Sequence, residues 1–275
     1  MRFHTIALPH THTTAAFSAC AFTSKVRGFC RMMKDRGHEV FLYAGEENDA
    51  PCDEHIVCLS ELSRARHVGD RHYTEANWDP QSFAWRAFNN QAIVQMRKHL
   101  LPHDFICIIG GTAHKPIADA FPDHLVVEFG IGYGGCIANF KVFGSPAWRH
   151  TVYGTRSMNN PTGVDGQWFD DVIPGYLDPK DFPFPISKDD YFLYVGRLID
   201  RKGYKVAQDV CADLGARLIL AGPGPQECYG DFVGVVGPEE RGRLMAGAQA
   251  LFVPTQYIEP FGNVEVSDQT EFVAQ

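Results

Sequence analysis

One stretch decides the fold of this chain: YFLYVGRLIDRKGYKVAQDVCADLGARLILAGPGP at residues 191–225, followed by VVGPEERGRLMAGAQALFVPTQYIEPFG at residues 235–262. It contains three mainly apolar runs, at 191–195, 217–221 and 250–254, and a Gly or Pro stops each run. Helical patterns separate these runs, which predicts strands of a parallel α/β sheet. Because ligands bind at the carboxyl ends of the strands in such sheets, we expect the three strand endings to converge on one crevice.

The amino-terminal part of the chain shows the same alternation. An apolar run at Phe3–Leu8, a helical pattern from Ala15 to Arg36 and another apolar run after it predict a βαβ unit. Residues 174–185 then contain four prolines and predict a linker. The sequence therefore predicts an α/β protein of two Rossmann-like domains, residues 1–185 and residues 186–275, that face each other across a cleft.

Start signals predict further helices in the first domain. Asp79, which a proline follows, predicts the N-cap of a helix that runs to Leu101. Thr112 predicts the cap of a helix over residues 113–121. Residues 60–79 are polar and receive no assignment.

Composition excludes several classes of protein. The 275 residues are 45% hydrophobic and carry a formal net charge of −8, which argues against a general nucleic-acid binder. The eight cysteines form no C-x-x-C pair, and several lie in apolar runs, so we expect reduced thiols in a cytoplasmic protein. Neither a signal peptide nor an apolar run of about 18 residues is evident. Peripheral membrane contact stays open.

Several motifs resemble one enzyme family. The matching stretches are V-G-R-L-x-x-x-K-G at 195–203, L-I-L-A-G-P-G-P at 218–225, V-P-T-Q-Y-I-E-P-F-G at 253–262, R-G-H-E-V at 36–40 and the linker at 172–182. Together they resemble retaining glycosyltransferases of the GT-B fold, in the large family that includes glycogen-synthase-like and sucrose-synthase-like enzymes. Residues 128–154 look like a bacterial or phage subgroup. The resemblance implies transfer of a hexose from a nucleotide-sugar donor, with retention and without a metal or other cofactor, to an unknown glycan, lipid or small-molecule acceptor.

The resemblance implies a donor site in the second domain. Arg197 and Lys202 lie five residues apart, between a strand and a helix, so both cations can reach one diphosphate, and the helix N-terminus adds its dipole. Glu259 is implied to bind the donor sugar. The further donor-binding residues are Gly196, Gly222, Gly224, Phe261, Gly262 and Asn263. The alternatives are solvated surface charges, a helix-capping carboxylate and ordinary glycine turns.

Candidate acceptor residues lie in the first domain. His10, His12 and Thr13 follow the first strand, where the family has a glycine-rich loop, and Gly130 and Gly132 follow a later strand. Their expected role is to line the cleft and to steer the acceptor or bind phosphate. The alternative for the two histidines is a place on the surface.

The chain also departs from the family pattern. Ser267 stands where the family has a second glutamate, which binds the ribose, and the last residue is Gln275. We therefore expect an incomplete second domain with an exposed sheet edge. Self-association of two chains can cover such an edge. Two interpretations follow: an active glycosyltransferase, or an inactive, truncated relative that binds nucleotide sugar weakly or not at all. A third interpretation, a two-domain enzyme such as a sugar epimerase, does not explain the E-P-F-G turn.

Overall fold

The chain forms two compact units, Met1–Tyr176 and Leu177–Gln275. The computed structural model describes residues 1–133, 135–159, 166–176, 187–225 and 229–260. The predicted domain boundary at residues 185 and 186 lies outside the described residues and stays a prediction.

The first unit contains one seven-stranded sheet in which every neighbouring pair is parallel. The strand order is β3-β2-β1-β4-β5-β6-β7. The strands are β1 Arg2–Ile6, β2 Glu39–Gly45, β3 Glu54–Leu59, β4 Phe105–Ile108, β5 Leu125–Phe129, β6 Phe140–Phe143 and β7 Asp171–Val172. The α-helices are α1 Ala21–Asp35, α2 Glu61–Val68, α3 Phe83–His99, α4 Lys115–Ala120 and α5 Pro146–Asn159.

The core of the first unit lies along its central strands. All residues of β2 after Glu39 are buried, which is typical of a parallel strand with both faces covered. Trp85 and Phe88 of α3 are fully buried in the same cluster. The apolar content of the strands therefore explains why the sheet forms in the interior of the unit.

The second unit contains a four-stranded parallel sheet with the order β10-β9-β8-β11. Its elements are β8 Phe192–Val195, α6 Tyr204–Leu214, β9 Leu218–Ala221, β10 Asp231–Gly234, α7 Pro238–Gly247 and β11 Leu251–Phe252. Successive residues of β8 point to opposite faces. Leu193 packs in a cluster with Leu244 of α7, and Tyr194 packs in a cluster with Cys211 of α6. The three apolar runs that predict strands in this unit are confirmed to within two residues as β8, β9 and β11.

Three helix starts in the first unit differ from the prediction. Helix α1 begins at Ala21 rather than at residue 15. Asp79 accepts from the N–H of Gln81 and opens a turn, whereas Ser82 is the N-cap of α3. Thr112 lies inside a 3-10 turn, and α4 begins at Lys115.

Two elements of the first unit have no counterpart in the prediction. Helix α2 is polar, and it is stabilised by its Ser60 cap and by an ion pair from Arg64 to Glu61. Strand β6 contains Lys141, whose charge interrupts the apolar run. Lys141 is nevertheless buried, 3.6 Å from Asp170.

The seven described cysteines, Cys20, Cys30, Cys52, Cys58, Cys107, Cys136 and Cys211, are free thiols. Burial raises the pKa of the Cys30 and Cys107 thiols, so both stay protonated at neutral pH. In the described parts of the chain, none of the helices combines the length and the apolar character needed to cross a membrane.

Candidate functional site

The strand endings of the second unit meet at one edge of its sheet, as predicted. Strand β8 lies between β9 and β11, and all three are parallel. The N–H of Leu198 donates to the carbonyl of Pro223 at 2.9 Å, and the N–H of Gln256 donates to the carbonyl of Arg201 at 2.9 Å. We call residues 196–203, 222–225 and 253–260 the strand-end loops. They form one connected surface.

Glu259 is held by two donors on this surface. Lys202 Nζ lies 2.5 Å from Glu259 Oε2, and the Tyr257 hydroxyl donates to the same oxygen at 2.5 Å. The Tyr257 ring lies 5.0 Å from Lys202 Nζ and 5.5 Å from the Arg201 guanidinium. The side chains of Lys202 and Glu259 are 23% and 27% exposed, so a ligand can reach both from solvent. The sequence analysis did not select Tyr257, and its position two residues before Glu259 is the only signal that marks it.

Arg197 is an exposed cation on the first of the strand-end loops. Its carbonyl accepts a hydrogen bond from the Tyr194 hydroxyl at 2.9 Å. Burial raises the pKa of Tyr194, so this hydroxyl stays protonated and continues to donate. Within the described residues, the Arg197 guanidinium makes no side-chain hydrogen bond or ion pair. Its charge is therefore available to an anionic ligand.

The glycines of these loops let one loop approach another. Gly222 has a φ of +145°, and a Cβ there would lie 2.0 Å from the Gly196 carbonyl oxygen. Gly224 has a φ of +154°, and a Cβ there would lie 2.4 Å from the Leu198 Cβ. Loop packing alone therefore requires glycine at both positions. Contact of these glycines with a ligand stays a prediction.

The remaining residues that were predicted to bind the donor lie near the start of α6 or outside the described residues. A 3-10 turn over Asp200–Lys202 precedes α6, and Gly203 is its N-cap without a side-chain hydrogen bond. Lys202 thus lies directly before the helix N-terminus, where the dipole favours anions. Phe261, Gly262 and Asn263 lie outside the described part of the chain.

The segment after β1 is buried, so the alternative that His10 and His12 lie on the surface is wrong. His12 Nδ1 accepts from the N–H of Glu47 at 3.2 Å, so Nε2 carries the proton and donates to Glu61 at 2.7 Å. The Arg64 guanidinium, and then His12, hold the pKa of Glu61 below its usual value. Helix α2 carries both Glu61 and Arg64, and the sequence analysis did not assign this helix.

His10 and Thr13 are also enclosed by the protein. His10 Nε2 lies 3.6 Å from Cys20 Sγ, and the ring meets Trp78 edge-on at 5.8 Å. Burial lowers the pKa of His10 to about 4. The backbone of Thr13 pairs with the strand-like segment at Asn48. These contacts give the segment a structural role, and its contact with an acceptor stays a prediction.

A cavity of about 300 Å³ opens at the carboxyl ends of β4 and β5. We call it the aromatic pocket. It is lined by the rings of Phe22, Trp78 and Tyr133, by Ile109 and by four glycines of the loops after these strands. Gly132 is one of the four, whereas Gly130 does not line the cavity and instead accepts from Lys25 Nζ at 3.4 Å.

Glu128 at the end of β5 holds the loop that forms one wall of the aromatic pocket. This carboxylate is fully buried. Its Oε2 accepts from the N–H groups of Ile137 at 2.7 Å and Ala138 at 3.2 Å. The two bonds close the glycine-rich loop on itself. Glu128 therefore anchors this loop to the end of β5.

Among the described residues, no group of three or more His, Cys, Asp or Glu side chains is placed to hold a metal ion.

The comparisons with known proteins rest on structure. No family model matches the sequence, and none of the curated proteins is significantly similar in sequence. Solved structures do match. AviGT4, a glycosyltransferase involved in avilamycin A biosynthesis, matches with a TM-score of 0.64 at 17% identity, over 98% of this chain and 77% of that chain.

Two further structures were determined with ligands. Alr3699/HepE of Anabaena, in complex with UDP and glucose, matches with a TM-score of 0.59 at 14% identity, over 98% of this chain and 78% of that chain. The catalytic domain of starch synthase IV from Arabidopsis thaliana, bound to ADP and acarbose, matches with a TM-score of 0.66 at 9% identity, over 98% and 81%. The chain therefore has a GT-B-like α/β fold, as its motifs predicted.

Proposed function

We propose that this chain is a glycosyltransferase and that the strand-end loops of its second unit bind the nucleotide-sugar donor. The fold supports this proposal, because structures of the same fold belong to a glycosyltransferase and to proteins that hold UDP with glucose or ADP with acarbose. Retention of configuration and independence from metal belong to the proposal through the motif resemblance.

The observation that carries the proposal is the ion pair of Lys202 with Glu259 on the same strand-end loops that carry the exposed Arg197. A diphosphate carries charge that both cations can bind. The leaving nucleoside diphosphate gains negative charge during transfer, so fixed cations stabilise the transition state more than the ground state. A phosphate of the donor then competes with Glu259 for Lys202. The Tyr257 hydroxyl still holds the Glu259 carboxylate, which can accept a hydrogen bond from a hydroxyl of the donor sugar.

Calorimetric titration with UDP, GDP, ADP and their glucose conjugates, without added metal, tests this proposal. We expect one nucleotide to bind saturably, and we expect Arg197→Ala to weaken its binding about tenfold or more, the loss typical of a charged hydrogen-bond partner. Arg217→Ala is the matched control, because Arg217 lies in the same unit and pairs with Asp231 at 2.8 Å. Its affinity should equal that of the wild type.

The same titration distinguishes the proposal from the alternative, an inactive relative of such enzymes. A folded protein that binds none of these nucleotides contradicts the proposal and favours that alternative. Equal binding by the wild type and by Arg197→Ala contradicts the assignment of the site.

A further inference from the structure

The aromatic pocket has a lining with few polar groups. Among the described residues, none that lines the cavity carries a charge, and the only polar side-chain atoms of the lining belong to Trp78 and Tyr133. His10 lies behind Trp78, and its ring contacts the indole edge-on at 5.8 Å. The lining therefore suits an apolar group rather than an ion.

The shape of the pocket depends on glycine. A Cβ at Gly132 would lie 2.7 Å from Cζ of Phe22, so the backbone at this position packs directly on the ring. Phe22 in turn packs on Trp78, with ring centroids 5.5 Å apart. Glycine backbone and aromatic rings therefore form the walls of the pocket.

The size of the pocket limits its occupant. An apolar cavity of about 150 Å³ holds one benzene ring. The cavity here measures about 300 Å³, which gives room for two fused rings. A sugar ring of similar size carries several hydroxyls, and each one that is buried without a partner opposes binding. Aromatic rings favour one another beyond the area that they bury, so a flat ring system is preferred over an aliphatic one.

We propose that the aromatic pocket binds an aryl alcohol, a planar ring system of one or two rings with a hydroxyl group. Its identity as the acceptor rests on the proposed function, whereas its binding does not. In the transfer, the bond from the anomeric carbon to the diphosphate oxygen breaks and a bond from that carbon to the aryl oxygen forms. The hydroxyl proton ends on the departing nucleoside diphosphate or in solvent.

Calorimetry on the full chain tests this inference with 2-naphthol as the probe. Decahydro-2-naphthol is the matched comparator, because it has the same carbon skeleton without flat aromatic rings, and glucose is the sugar comparator. We expect 2-naphthol to bind at least about fivefold more tightly than decahydro-2-naphthol, and glucose not to bind in the aromatic pocket. Equal binding of 2-naphthol and decahydro-2-naphthol, binding of glucose that competes with 2-naphthol, or failure of 2-naphthol to bind the folded protein overturns the inference.

Variants of the lining test whether 2-naphthol binds in the aromatic pocket. Trp78→Leu should weaken 2-naphthol binding about tenfold, and Tyr133→Ala, which changes a more exposed ring, should weaken it several-fold without a risk to folding. Trp168→Leu is the matched control, because Trp168 is 93% exposed and does not line the pocket. Binding that survives both pocket variants overturns the inference.

A last comparison separates this inference from the proposed function. Arg197→Ala, in the second unit, should leave the affinity for 2-naphthol unchanged. A chain that binds 2-naphthol but no nucleotide contradicts the proposed function and keeps the aryl site. A chain that binds nucleotide but not 2-naphthol contradicts the aryl site and leaves the proposed function standing.

Discussion

Lys202 and Glu259 form an ion pair that contributes little to stability. Both side chains are about a quarter exposed, and such pairs stabilise proteins by at most about 1 kcal/mol. A diphosphate can therefore displace Glu259 from Lys202 at small cost. The pair keeps both groups in place before the ligand arrives, which lowers the entropy lost on binding.

Tyr257 should act on the sugar end of the donor. Tyr257→Phe removes the hydroxyl that holds Glu259 and keeps the ring near Lys202 and Arg201. We expect affinity for the nucleotide sugar to fall roughly threefold to tenfold, as for loss of one hydrogen bond, and affinity for the free nucleoside diphosphate to stay the same.

Titration of both ligands against wild type, Tyr257→Phe and Tyr229→Phe measures this difference. Tyr229 lies in the same unit and donates to the backbone carbonyl of Ala216 at 3.0 Å, so it controls for loss of a hydroxyl elsewhere. Equal losses for the two ligands would show that Tyr257 only supports the fold.

Gly222 should tolerate no side chain. The Cβ of Gly222→Ala would lie 2.0 Å from the Gly196 carbonyl oxygen, on a backbone with a φ of +145°. We expect a loss of roughly 2–4 kcal/mol in the free energy of unfolding, from strain and overpacking. Urea denaturation measures it. Gly237→Ala is the control, because Gly237 has a φ of −73° and no neighbour within 4 Å of the added Cβ. A loss of equal size in both variants would contradict this account.

Residue patterns predicted which loops meet. Arg197 and Lys202 follow β8, and Glu259 follows its parallel neighbour β11, a relation that the apolar runs already indicate. The role of these residues in donor binding stays a prediction. The burial of His10 and His12 was not predictable, because it depends on α2 and on Trp78, which lie in or next to the polar stretch without an apolar pattern.

At the scale of elements, apolar runs that end at a glycine or a proline predicted strands correctly, whereas polar elements were not predicted. Strands β8, β9 and β11 of the second unit carry such runs. Strand β6 escaped prediction because Lys141 interrupts its pattern, and only the carboxylate of Asp170, distant in sequence, explains how this lysine can be buried. Helix α3 begins one turn later than predicted because Asp79 forms a turn of its own.

The loop after β5 should loosen when Glu128 loses its carboxyl group. Glu128→Ala removes the acceptor of two backbone N–H groups, so both hydrogen bonds are lost. We expect the amide hydrogens of Ile137 and Ala138 to exchange about tenfold faster, as measured by NMR. Glu54→Ala, on a half-exposed side chain of β3, is the control. Unchanged exchange at both amides would contradict the anchoring role.

At the scale of the whole molecule, three buried histidines should make stability depend on pH. Burial lowers the pKa of His4 to about 4, that of His10 to about 4 and that of His114 to about 3, from an ordinary value of 6.5. The unfolded chain therefore binds more protons than the folded chain between about pH 6.5 and pH 4. The stability that these uncharged histidines contribute is fully present above pH 6.5, and it is lost as the pH falls through this window.

Urea denaturation at a series of pH values in this window measures the effect. Each histidine contributes a slope of at most about 1.4 kcal/mol per pH unit. His114→Gln should reduce the total slope by about one such contribution, and the exposed His72→Gln should leave it unchanged. An identical slope in wild type and His114→Gln would contradict the burial of an uncharged imidazole.

Hydrogen–deuterium exchange with and without the nucleotide that binds tests the central claim most directly, because it reports the location of the ligand. We expect slower exchange in the peptides that cover the strand-end loops, residues 196–203, 222–225 and 253–260, and no change in these peptides in Arg197→Ala at the same nucleotide concentration. Protection confined to the segment after β1, or tight binding that leaves all three strand-end loops unprotected, would contradict the placement of the donor site in the second unit.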